Sequence, residues 1–202
     1  FDNSCIYSDR IFNVPGEYEK IEYAIFFASR QDTVLVQPGT YYEDIDFLGK
    51  DIIVMSTDGP EFTFIIANSD DNGGGDIYES DESVITITNV TSNQAVLDGF
   101  TLENGYGKGV NFEYFISVAS DPNAFNDMMH NYIKSGGVSV INSSVTLSNL
   151  IIRNNYATNF GAGIGLVDSQ AMLSNILIEN NHIPDGDALG GSGIAINGGI
   201  TS

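Results

Sequence analysis

The chain has 202 residues, 42% of them apolar, and 27 Asp and Glu against 7 Lys and Arg, a formal net charge of −20. That charge repels phosphate backbones and anionic membrane surfaces, so nucleic acid and membranes drop out as expected partners. The apolar residues are too many and too patterned for a disordered chain, and no apolar run reaches the roughly 18–20 residues that would cross a bilayer.

The length fits one domain over residues 1–202. Phe1 opens directly into polar sequence, as the N-terminus of a processed, exported chain would, so an extracellular or cell-surface location is expected. The one cysteine, Cys5, has no internal partner. It is either an isolated thiol or the partner of a cysteine outside this sequence.

A capping helix is expected over about residues 17–30. Ile21, Ala24, Ile25 and Ala28 fall on one helical face. Pro15 suits the helix start, and Glu17 and Glu19 suit the positive end of its dipole. Val34-Leu35-Val36 and Ile52-Ile53-Val54 are short apolar runs bounded by turn residues, the pattern of strands. An acidic stretch follows, with Asp70, Asp71 and Asp76 around a glycine run and then Glu79, Asp81 and Glu82. Clustered oxygen ligands in a loop suit Ca²⁺, and Asp70, Asp71 and Asp76 are the candidate ligands. The stretch lacks the alternating acidic positions and closing Glu of a Ca²⁺ loop, so a solvated loop explains it better.

From residue 97 the sequence repeats. Leu147-Ser148-Asn149-Leu150-Ile151-Ile152-Arg153-Asn154-Asn155 returns 26 residues later as Leu173-Ser174-Asn175-Ile176-Leu177-Ile178-Glu179-Asn180-Asn181. Gly136-Gly137-Val138 returns as Ala162-Gly163-Ile164 and again as Ser192-Gly193-Ile194, and Leu97 to Gly105 is an earlier copy. A 26-residue unit is too short for a βαβ unit, which needs about 30 residues or more, and its connections are too rich in Gly, Asn and Ser for helices. The leucine-rich-repeat spacing is absent. The remaining solution is an all-β right-handed parallel β-helix, a solenoid of short strands stacked about 4.8 Å apart.

Stacking predicts aliphatic ladders at Val138/Ile164/Ile194, Leu147/Leu173 and Ile152/Ile178. It also predicts amide ladders at Asn149/Asn175 and Asn154/Asn180. The last rung opens at Ser192 without a visible cap, so the expected protein is longer than this sequence. Stacked rungs would also permit homo-assembly.

An insertion over about residues 106–135 separates two rungs. It carries Tyr106, Phe112, Tyr114, Phe115, His130 and Tyr132, the candidate ligand-binding residues, and Asp121-Pro122 marks the start of a short helix. Long loops on a rigid scaffold often bind ligands, and aromatics stack on sugar faces. The same aromatics could instead pack the loop onto the flank.

Ile21-Glu22-Tyr23-Ala24-Ile25 followed by Asp32-Thr33-Val34-Leu35-Val36-Gln37-Pro38-Gly39-Thr40-Tyr41-Tyr42 resembles the opening of the pectin-lyase-like β-helix superfamily, pectin methylesterases included. The later Gly-Gly and Leu-Ser-Asn rungs resemble repeats of secreted bacterial surface β-helix proteins. The resemblance implies the fold, but this fold hosts lyases, hydrolases, esterases and adhesins alike. The methylesterase catalytic segments have only displaced echoes here, Gln94-Ala95-Val96-Leu97 before a strand and Gln31-Asp32-Thr33-Val34 beside the cap.

Register places Glu103, Arg153 and Glu179 in one outward column, with Thr101, Ile151 and Leu177 as outward neighbours that the insertion could cover. The column is either a candidate catalytic or sugar-binding cluster or a surface ion pair worth roughly 0.2–1 kcal/mol. A lyase needs an Arg or Lys base beside carboxylates that hold Ca²⁺, and the arginines are only Arg10, Arg30 and Arg153. The expected function is an extracellular binding or scaffold module presenting a surface to polysaccharide or to surface proteins. The alternative is a polysaccharide lyase or glycoside hydrolase with a site partly outside this segment.

Overall fold

The computed structural model describes residues 9–68, 83–92, 94–109, 112–184 and 190–198. β1 (Ile11–Val14) opens the coil and α1 (Ile21–Phe27) follows it. The rungs then run in order: β2 (Thr33–Val36), β3 (Gly39–Tyr42) and β4 (Ile45–Asp46); β5 (Ile53–Ser56), β6 (Thr63–Ile66) and β7 (Ile85–Thr88); β8 (Ala95–Asp98), β9 (Thr101–Glu103) and β10 (Tyr106–Gly107). After α2 (Phe112–Val118) and α3 (Pro122–Asn131) come β11 (Val138–Ile141), β12 (Ser144–Arg153), β13 (Tyr156–Ala157), β14 (Ile164–Val167), β15 (Gln170–Glu179) and β16 (Ile194–Asn197).

Every strand pairing is parallel. Three columns result. The first stacks β1, β2, β5, β8 and the first halves of β12 and β15. The second stacks β3, β6, β9 and the second halves of β12 and β15. The third stacks β4, β7, β11, β14 and β16. The chain is a right-handed parallel β-helix, the sense that parallel crossovers take. Among the described residues no helix is long and apolar enough to cross a membrane.

The expected aliphatic ladders are present in register: Val138 with Ile164 and Ile164 with Ile194, Leu147 with Leu173, Ile152 with Ile178. Val34 pairs Val54, and Val54 pairs Leu97, so the two early strands join the same column. The inward side chains of these rungs form one buried core with Phe12, Phe47 and Phe100. The Gly137/Gly163 repeat has a steric cause. A Cβ on Gly137 would lie 2.5 Å from the Gly163 carbonyl oxygen, and one on Gly163 2.5 Å from that of Gly193.

One amide ladder differs from expectation. Asn149 and Asn175 stack outside, Asn175 Nδ2 donating to Asn149 Oδ1 at 2.8 Å. The inner ladder, however, is Asn155/Asn181 and not Asn154/Asn180. Asn155 accepts from the Gly105 amide at 2.8 Å and donates to the Leu102 carbonyl at 3.1 Å, and its Nδ2 also donates to Asn181 Oδ1 at 3.0 Å. Asn154 and Asn180 turn the corner in the left-handed region, φ 56° and 53°. That turn shifts the alternation and sends the next residue inward.

α1 spans Ile21–Phe27, shorter than expected at both ends. Residues 15–20 form a turn in which the Glu17 and Tyr18 amides bond the Asn13 carbonyl, so Pro15, Glu17 and Glu19 precede the helix. Ile21, Ala24 and Ile25 are buried over the first rung.

The two neighbouring asparagines should therefore separate cleanly in chemical denaturation. Asn155→Ala leaves the Gly105 amide and the Leu102 carbonyl unsatisfied and should cost roughly 2–3 kcal/mol. Asn154→Gly keeps the left-handed corner and should stay within about 0.5 kcal/mol of the parent.

Candidate functional site

The cap helix builds the most developed surface feature. Its inward face closes the coil. Its other face holds Tyr23, Phe26 and Phe27 out at 51%, 65% and 61% exposure, beside Leu48 at 50%. β4 and its flanks alternate, with Ile45 and Phe47 inward and Asp44, Asp46 and Leu48 outward. Glu22, Tyr23, Phe26 and Phe27 of the helix and Asp44, Asp46 and Leu48 below it line an open groove of about 630 Å³. An aromatic chain roots it in the core: Phe26 meets Phe27 edge-on at 5.2 Å, Phe27 meets Tyr18 at 5.6 Å, and Tyr18 meets buried Phe12 at 5.6 Å.

The helix is clamped at both poles. Buried Glu43 accepts from the Ile21 and Glu22 amides at 3.0 and 2.9 Å, capping the N-terminus from the rung below. Lys50 Nζ donates to the carbonyls of Ile25, Phe26 and Ala28 at 2.8–2.9 Å, capping the C-terminus. Each charge has the sign its helix end favours. Burial pushes the Glu43 carboxyl above the ordinary carboxylate range, against the pull of its two amide donors. Burial likewise lowers the Lys50 ammonium, with Asp32 opposing. Sequence reading took only the buried face of this helix. The available signal was three aromatics on the opposite face, an apolar patch where a solvated helix carries polar residues.

The charged column forms as expected, with Arg153 opposite Glu103 on one side and Glu179 on the other. Arg153 Nε closes an ion pair on Glu103 Oε1, while Glu179 stands exposed. Thr101, expected to be outward, is buried and donates to the Pro60 carbonyl at 2.6 Å. The loop after β5 therefore covers that strip at Thr101.

The insertion lies elsewhere. Val118, Met128, Met129 and Ile133 pack on Ile141, Val167 and Ala195 with Phe160, which places α2 and α3 on the outer face of the third sheet. They do not cover Thr101, Ile151 and Leu177. The expected ligand residues are distributed: Phe115 meets Phe125 at 6.1 Å against that cluster, and Tyr114 meets Tyr132 at 5.9 Å outside it. His130 Nε2 lies 2.8 Å from Asp168 Oδ2, with α3 against a corner of the coil. Tyr106 belongs to a rung, stacked on Tyr156 at 4.8 Å, with His182 5.8 Å beyond. Phe112 opens α2, and its side chain is outside the described residues. Asp70, Asp71 and Asp76, the expected Ca²⁺ ligands, also lie outside them. Among the described residues no group of three or more His, Cys, Asp or Glu side chains is placed to hold a metal.

No family model matches the sequence, and no curated protein matches it. Among solved structures, the chain is similar to a mutant pectin methylesterase in complex with a hexasaccharide, at 14% identity and a TM-score of 0.47. The match covers 89% of this chain and 59% of that one, so the chain spans less than two thirds of its length.

Two sets of variants test this description. Arg153→Ala should cost less than about 1 kcal/mol in denaturation, since the pair is partly open to water, and Glu179→Ala should be silent. For Glu43, a raised folded-state pKa means that its stabilising share is complete below the ordinary value of 4.5. That share is lost as pH rises through the raised value. Stability measured upward from that pH should fall more steeply in the parent than in Glu43→Gln, which cannot ionise there.

Proposed function

We propose that the chain is a binding and scaffold module of an extracellular or cell-surface protein, and that the groove between α1 and β4 is its ligand surface. The groove carries this reading: four large apolar side chains are held in water beside three carboxylates, on a helix fixed at both ends. Exposed apolar area rimmed by polar groups is a mark of interaction sites, and a preformed surface lowers the ordering cost of binding. The coil beneath it is a stiff support, because each rung is paired along its length to the next. The expected partner is a surface macromolecule, glycan or protein. The partly buried Arg153–Glu103 pair has a sufficient role in holding two rungs together.

The test is a screen of acidic and neutral polysaccharides and of cell-surface extract, run with Ca²⁺ and with chelator. Retention by a glycan or surface protein, lost in Phe26→Ser/Phe27→Ser without a change in melting temperature, is the expected result. New reducing ends or unsaturated uronic products, abolished by Arg153→Ala, would overturn it in favour of a lyase or hydrolase.

A further inference from the structure

We propose that the α1–β4 groove docks a cationic segment of a partner protein. Lysine or arginine heads would lie on Asp44 and Asp46, and apolar side chains over Phe26, Phe27 and Leu48. The proposal rests on the binding-module reading above and names the chemistry of its partner.

Charge selects the occupant. Every charged group lining the groove is a carboxylate, set in a chain of net charge −20. The two cations nearby are already engaged. Lys50 Nζ is held by three carbonyls of the helix end, and Lys20 Nζ is paired with Glu22 at 2.9 Å. An acidic glycan or peptide would therefore meet like charge with no free counter-charge. Asp44 accepts from the Asn68 amide at 3.2 Å and Asp46 from the Leu48 amide at 2.8 Å, and a cationic segment would add charge-assisted hydrogen bonds to these carboxylates.

The aromatics fit the same occupant. Lys20 Nζ sits 5.4 Å from the Tyr23 ring centre and Lys50 Nζ 5.9 Å from that of Phe26, so ammonium groups already lie against these rings. The apolar step formed by Phe26, Phe27 and Leu48 would anchor the aliphatic stems and neighbouring side chains that such a segment carries. A neutral glycan would also use the rings and donate its hydroxyls to the carboxylates, but it brings no charge of its own. Salt dependence therefore separates the two.

The chain contains no tryptophan, so a short lysine–leucine peptide carrying one tryptophan reports its own binding by fluorescence. Asp44→Asn/Asp46→Asn should weaken binding about tenfold or more. The charge-matched control Glu61→Gln/Glu113→Gln, at exposed positions away from the groove, should change it less than about twofold. Phe26→Ser/Phe27→Ser should also weaken it, and a glutamate–leucine peptide should not bind.

Equal weakening by both carboxylate pairs would reduce the effect to net charge and overturn the proposal. Salt-insensitive binding of neutral dextran in place of the peptide, lost in the Phe26/Phe27 variant, would overturn the cationic segment and leave the module standing. Polysaccharide cleavage with no groove-dependent binding would remove both.

Discussion

A coil of parallel strands can stack only if successive rungs turn their corners at corresponding positions, because side chains alternate with a period of two and a slip of one residue turns the core face outward. In the later rungs those corners are single residues in the left-handed region. Asn89, Asn142 and Asp168 turn from the third column into the first; Gly99, Asn149 and Asn175 turn from the first into the second; Asn104, Asn154 and Asn180 leave the second. Left-handed backbone costs most L residues about 1–2 kcal/mol and costs Asn and Asp less, since their short side chains bond locally. Asparagine then serves twice, turning the chain and reaching the next rung, as Asn142 does to Asn89 and Asn175 to Asn149.

The corners also satisfy the backbone groups that turning leaves unpaired. At the corner leaving the third column, Ser143 Oγ accepts the Val90 amide and donates to the Ile141 carbonyl, and Ser169 repeats the arrangement one rung on. At the corner leaving the second, Asn155 and Asn181 do so from inside. These are polar groups deep in an apolar stack. They are tolerated because each is bonded, and each makes at least one bond to a neighbouring rung.

This explains what the residues disclosed. The 26-residue spacing fixed the ladders at Leu147/Leu173 and Val138/Ile164, because registry between rungs is a property of spacing alone. It could not say whether Asn154 or Asn155 faced inward. That depends on the left-handed turn of Asn154, which breaks the simple alternation. The column of Glu103, Arg153 and Glu179 was legible for the same reason as the ladders. The seat of the insertion was not. Val118, Met128, Met129 and Ile133 announce an apolar face but not which sheet will cover it, and the third sheet offered Ile141 and Val167. The groove was missed differently. Ile21, Ala24, Ile25 and Ala28 explain a helix so fully that Tyr23, Phe26 and Phe27 on its other side went unread.

The same constraint shows where variation is permitted. The turns from third to first column and from first to second are mostly short. Among the described residues the longest departure, which carries α2 and α3 between β10 and β11, leaves between the second and third. An excursion there begins and ends on strands whose partners already fix their register, so it can lengthen without shifting the core. The insertion carrying α2 and α3 is such a case, and it buries its own apolar face on the third sheet. The cap obeys the opposite logic. It is a short helix held by Glu43 and Lys50 on the first rung, with no freedom to turn its aromatics inward. Apolar side chains so constrained cannot reach a core by rearrangement.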